Sequence, residues 1–190
     1  MPLLSVLIFA ALLLAPPPSR APRPQRSAEV VAEAQKLIRQ QRYADAINRL
    51  EQFLETSPED AEALTYLAAA HLYADREHLK ASEMFTRAFD AGGGASFFVT
   101  HSHESVMSGE DVTNYCRGWL HLRRGRVEFA PDEGTHGFSA RYADVAEFKQ
   151  NRHKSFFHLK LGGANQNFRP RTKEELETLL ILALYKRFSR

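Results

Sequence analysis

Three consecutive glycines, Gly92-Gly93-Gly94, separate two stretches of this sequence that are patterned with different periods. A helix does not run through three residues that lack Cβ, because each loses the most backbone freedom on being ordered. Before them, apolar residues recur every three to four positions; after them, apolar and polar residues alternate. The first period belongs to helices and the second to strands. The chain is therefore expected to be α+β, with helical hairpins over residues 27–91, an antiparallel β-barrel-like domain over residues 95–190, and the boundary at the glycines.

The 190 residues, 44% hydrophobic and 25% charged, are enough to bury a core. A single cysteine, Cys116, excludes an intrachain disulfide or a cysteine-rich zinc site as the staple of the fold. A formal charge of +2, with no basic run interleaved with aromatics, argues against a nucleic-acid partner. Residues 1–26 form a separate segment. Residues 3–15 are apolar apart from Ser5, and Pro16-Pro17-Pro18 stops any helix there. The block is shorter than the roughly 20 residues that span a bilayer. It reads as a signal h-region or an uncleaved anchor, although the first basic residue, Arg20, follows it rather than precedes it. A Pro-rich basic linker follows. The expected location is exported, periplasmic or extracellular, or membrane-anchored through this segment.

Residues 27–40 carry the stripe Val30, Val31, Ala34, Leu37, Ile38, and residues 42–54 carry Ala46, Ile47, Leu50, Phe53, Leu54. Ser57 as N-cap and Pro58 at the first helical position predict the next helix. Residues 60–75 repeat the first stripe with Leu64, Leu67, Ala68, His71 and Leu72, and residues 79–90 repeat the second with Ala81, Phe85, Ala88 and Phe89. Ala46 and Ala81, like Leu50 and Phe85, stand 35 residues apart. With Tyr43 and the closing Pro58, this spacing resembles two tetratricopeptide repeats, whose usual unit is about 34 residues. The resemblance implies a concave groove lined by the first helix of each pair, exposing Arg39, Glu62, Thr65, Tyr66 and Tyr73 to a peptide or protein partner. Two such units leave one apolar end uncovered, so the β-domain is expected to fold back as a cap.

In the second half, residues 95–103 read as a strand and residues 114–123 and 126–130 as a hairpin about Arg124-Gly125. That turn sets Leu120 opposite Phe129 and Leu122 opposite Val127, on one face with Cys116. Trp119, His121 and Arg123 fall on the other face, so Trp119 is expected outward, exposed and in contact with a partner. Residues 137–142, 145–149 and 155–161 add strands, and residues 162–170 read as a loop. Thr172 and Glu175 predict a capping box for a helix with Leu176, Leu179, Leu180, Ala183, Leu184 and Phe188 inward. The order of elements, with the phrases GWLHLRRGRVEFAP and GFSARYADVAEF, resembles a pleckstrin-homology-like barrel over residues 95–190. Lipid-binding members are basic in the first loop, whereas SHESVMSGED here is acidic.

His101 and His103, two apart on a strand, face the same way as a metal pair requires, with Glu104, Asp111 and His136 as further ligands. No HExxH-type spacing fixes them, and solvated strand-end histidines are the commoner outcome. Cys116 reads as a small buried hydrophobe. No GxGxxG, P-loop or Ser-centred elbow occurs. The expected function is a non-enzymatic adaptor or scaffold, needing neither cofactor nor metal, that binds a peptide or protein through Arg39, Glu62, Thr65, Tyr66, Tyr73 and Trp119. Two alternatives stand beside it: an anionic-lipid module using Arg123, Arg124, Arg126 and the basic residues of the linker, and a metal-dependent hydrolase using His101 and His103.

Overall fold

The computed structural model describes residues 23–103 and 114–190. The apolar leader, the acidic loop and the candidate ligands Glu104 and Asp111 lie outside the described residues. Four helices come first: α1 (Arg23–Arg39), α2 (Tyr43–Leu54), α3 (Ala61–Asp75) and α4 (His78–Asp90). The expected stripe of α1 is buried, as are Ala46, Leu50 and Phe53 of α2 and Ala81, Phe85 and Ala88 of α4. The start of α3 differs from expectation. Asp60, not Ser57, is its N-cap, and the Asp60 carboxylate accepts the Ala63 N–H at 3.0 Å. Ser57 instead offers its carbonyl to the Asp60 N–H at 3.0 Å, so residues 57–60 form a turn ahead of the helix.

The strands are β1 (Ala95–Ser102), β2 (Tyr115–Arg123), β3 (Arg126–Pro131), β4 (Phe138–Arg141), β5 (Val145–Gln150), β6 (Phe157–Leu161) and β7 (Ala164–Pro170), followed by α5 (Glu175–Phe188). They make one antiparallel sheet in the order β4-β3-β2-β1-β7-β6-β5. Its two edge strands, β4 and β5, are consecutive in the chain and joined only by the 3-10 turn Tyr142–Asp144. So short a link draws the edges together and curls the sheet into a nearly closed, barrel-like shape. The β2–β3 hairpin has the expected register about Arg124-Gly125, with Leu122 opposite Val127 and Leu120 opposite Phe129. Gly125 has φ of 78°, the left-handed conformation that such a turn needs.

Residues 162–170 are not a loop. Gly162 and Gly163, at φ of 55° and 87°, turn the chain, and β7 then pairs with β6 on one side and β1 on the other. Its amide-rich half, Asn165-Gln166-Asn167, conceals the strand pattern that Phe168 completes. Helix α5 is also rotated from its expected orientation. Leu180, Ile181, Leu184 and Phe188 are buried, whereas Leu176 and Leu179 are 58% and 44% exposed and Ala183 is exposed. The Thr172 hydroxyl and N–H both donate to Glu177, at 2.6 and 3.0 Å, so the Thr172–Glu175 capping box does not form. Burying Glu177 on the same stripe as Ile181, Leu184 and Phe188 sets the orientation of the helix.

One apolar core runs through helices and sheet. Ala95, Phe97, Val99, Leu120, Leu122, Val127, Phe129, Phe157, Leu159 and Phe168 fill one sheet face by alternation. Phe97 packs on Phe85 of α4 with ring centroids 5.1 Å apart, and Phe148 of β5 packs on Tyr185 of α5 at 4.2 Å. The opposite face of β1 and β2 receives α3. Residues 63–70 of α3, with Leu72 and Tyr73, are buried, since the helix is enclosed by other helices and by β1. This overturns the expected open groove: Thr65, Tyr66 and Tyr73 are buried, not exposed. Trp119 lies on the predicted face, but that face is the docking surface for the helices. It is 2% exposed, with its ring edge-on to Tyr66 at 5.1 Å and to Phe98 at 5.4 Å.

Candidate functional site: a cationic cleft and a histidine–cysteine cluster

Most of the residues expected to meet a partner meet the other half of this chain instead. Arg39 pairs with Asp132 at 2.7 Å, its guanidinium 5.9 Å from the Trp119 ring centroid. Glu62 accepts two hydrogen bonds from the Arg123 guanidinium, at 2.5 and 3.1 Å. The Thr65 hydroxyl donates to the Ala61 carbonyl at 2.8 Å and accepts the Gly94 N–H at 3.1 Å, fixing the glycine junction to α3. A Cβ at Gly93 or Gly94 would collide with backbone, so two of the three glycines are needed for close approach as well as for ending the helix. The Tyr66 hydroxyl accepts from Gln35 at 2.6 Å, and burial pushes its pKa up to about 12.

Of the expected contact residues, Tyr73 borders a cleft between the helices and the sheet. β1 pairs with β7 only from Val99 onward, because the ladder stops at Pro170. The Phe98 N–H, left without a strand partner on that side, donates to the Tyr73 hydroxyl at 2.7 Å. That hydroxyl donates in turn to Glu177 at 3.3 Å. Burial raises the Glu177 carboxyl to about 7, against the pull of the donors on Thr172 and Tyr73. Above this floor opens a cleft of about 490 Å³ between the helices and the sheet. Arg76, Arg117, Arg169, Arg171 and Lys173 line it, and no carboxylate does among the described residues. The Arg171 guanidinium is held over the Phe98 ring at 5.1 Å and donates to the Tyr43 hydroxyl at 3.1 Å. Arg76 reaches Glu174 at 2.6 Å, just beyond the lining.

The opposite sheet face, at the far end of β1, holds a different chemistry. His101 faces Cys116 across β2 and Phe168 across β7. The Cys116 Sγ lies 3.6 Å from His101 Nδ1, while His101 Nε2 is 3.0 Å from Gln166 Oε1. The His103 ring lies 5.4 Å from that of His101, and its Nδ1 is 2.9 Å from Asn114 Oδ1. One ligand atom from each of His101, His103 and Cys116 falls within 4.8 Å of the others. The His136 ring lies beside that of His103, tilted by 32°, with centroids 4.1 Å apart. Burial lowers His101 to about 4 and raises the Cys116 thiol. His101 is thus a neutral, buried ring rather than a solvated strand end. The expected same-side pair is present, and Cys116 is the member that spacing did not supply; pairing His101 with Cys116 requires the β1–β2 register.

No protein-family model and no curated protein matches the chain. Among solved structures, the C-terminal domain of an unknown protein from Leishmania infantum is similar over 48% of this chain and 81% of that one, at 10% identity and a TM-score of 0.34. A likeness that slight carries no argument about function. No described helix is long and apolar enough to cross a membrane.

Proposed function

We propose that this protein is a non-enzymatic binding module that holds an acidic segment of a protein partner in the cleft between its helices and its sheet. The observation behind this reading is the lining itself: Arg76, Arg117, Arg169, Arg171 and Lys173 with no carboxylate among the described residues there. Guanidinium groups suit carboxylates because their planar fork donates two parallel hydrogen bonds. Arg171 is further pre-oriented by Phe98 and Tyr43, which lowers the ordering cost of binding. The tetratricopeptide-like spacing of the hairpins supports an adaptor role in the same direction, with the contact surface moved from the helical groove to the cleft. The hairpin tip favours an anionic membrane less, because Arg123 is engaged by Glu62, Arg126 by Glu128 at 2.8 Å, and Arg124 lies 5.5 Å from the Phe89 ring.

Fluorescence anisotropy with a labelled Asp/Glu-rich peptide tests the proposal. Binding is expected to weaken with added salt and to fall at least tenfold in Arg117→Glu/Arg171→Glu. A neutral peptide of the same length binding equally well, or a charge-reversed cleft binding unchanged, would overturn it.

A further inference from the structure

We propose that His101, His103 and Cys116 form a binding site for a zinc-class metal ion that ties the end of β1 to β2. The distances fit such an ion. With a metal–sulfur bond of about 2.3 Å and a metal–nitrogen bond of about 2.0–2.1 Å at a tetrahedral angle, sulfur and nitrogen stand about 3.6 Å apart. Cys116 Sγ and His101 Nδ1 are separated by 3.6 Å. One thiolate with two imidazoles is a donor set suited to zinc and to its tetrahedral substitute cobalt, and not to magnesium or calcium.

Each ring is also set to present a lone pair. His101 commits Nε2 to Gln166, leaving Nδ1 beside the thiol. His103 commits Nδ1 to Asn114, and its Nε2 is buried without a hydrogen-bond partner. Metal-bound histidines characteristically give their second nitrogen to an amide, carboxylate or carbonyl in this manner. A buried imidazole nitrogen with no partner is otherwise costly. Phe129 and Phe168, with ring centroids 5.0 and 4.9 Å from that of His101, wall the inner side against water. On binding, the divalent ion takes the place of the thiol proton, which leaves to solvent, and the sulfur stays with its electron pair as thiolate. The ion bridges β1 and β2, where the residues next to His101 and Cys116, Thr100 and Arg117, face the cationic cleft on the other side of the sheet. The site is therefore independent of the cleft reading.

Cobalt(II) added to the reduced full-length chain tests the site directly. The expected result is one ion per chain with a thiolate-to-cobalt charge-transfer band, removed by equimolar zinc. Cys116→Ser should abolish the band and weaken binding more than about 100-fold; Asn114→Ala should keep the band and weaken binding about 10- to 100-fold. Zinc should also slow alkylation of Cys116 in the unaltered protein, a readout that stands if a variant does not fold. Absence of the band in the folded, reduced chain, the same band in Cys116→Ser, or alkylation unaffected by zinc would overturn the proposal.

Discussion

The two helical hairpins share a pattern and differ in their surroundings. In α1 one stripe is buried, Val30, Val31, Ala34, Leu37 and Ile38, and the positions between it stay at or near the surface. In α3, placed by the repeat to match α1, an unbroken run from residue 63 to residue 70 is buried. The composition records the difference: α3 carries Ala68-Ala69-Ala70, small on every side, whereas α1 carries Glu29, Glu33 and Lys36 outward. A helix that is apolar all round has partners all round, and here the additional partner is β1. The repeat spacing thus specifies how helices pair within a hairpin, while the width of the apolar belt tells whether a second layer follows.

Separating the two layers should have the largest effect. A fragment of residues 27–91 would expose the sheet-facing side of α3 with only two repeats to support it, so cooperative unfolding by circular dichroism is expected to be lost. A fragment melting as sharply and as high as the whole chain would remove the distinction between the hairpins. Next comes Trp119→Ala, which empties the space between Tyr66 and Phe98 and is expected to cost about 3–5 kcal/mol in urea unfolding. In the unaltered protein acrylamide should quench Trp119 fluorescence poorly, and efficient quenching would contradict the docked arrangement.

A smaller effect concerns Glu177, which joins α5 to Tyr73 of α3. Its carboxyl is raised from 4.5 to about 7, so between those pH values the folded chain keeps a proton that the unfolded chain releases. The contribution of this group is full below about pH 4.5 and is lost as pH rises through about 7, a decline of order 3 kcal/mol. Glu177→Gln can still accept from Thr172 and donate to Tyr73, so it should flatten that part of the pH–stability curve; an unchanged slope would remove the assignment. The smallest effect belongs to Glu62→Gln. Its side chain is 44% exposed where it meets Arg123, and solvent screening holds the expected loss to within about 1 kcal/mol by urea unfolding. A loss several times larger would mean that the layers are joined by charge rather than by packing.

These particulars mark where sequence reasoning reaches and where it stops. Period placed the four N-terminal helices, although α1 begins at Arg23 rather than Ser27 and α3 is capped by Asp60 rather than Ser57; turn chemistry placed the β2–β3 register and the side of the hairpin on which Trp119 lies. Alternation says which face a strand residue takes and nothing of what covers that face, so Trp119 was expected in solvent; Thr65, Tyr66 and Tyr73 were expected there because the repeat resemblance implies an open groove, which β1 fills here. β7 escaped because Asn165, Gln166 and Asn167 read as loop, although two of them face hydrogen-bonding partners, His101 for Gln166 and Asn151 for Asn167. His101 and His103 were visible as a pair. Their apposition to Cys116 depends on register between strands separated by residues 103–114, which no local spacing reports. The cleft gathers Arg76, Arg117, Arg169, Arg171 and Lys173 from distant parts of the chain, and only tertiary structure brings them together.

The enclosure of α3 also bears on how the chain is made. At roughly 5–20 residues per second of synthesis, the helices leave the ribosome before β2, whose Trp119 must close over Tyr66. For that interval the sheet-facing side of α3 has no cover within the chain, and the pairing of β1 with β7 waits longer still. The nascent protein therefore carries an apolar helix face that, among the described residues, only later-made strands shield, and a product truncated before β2 is expected to leave that face bare.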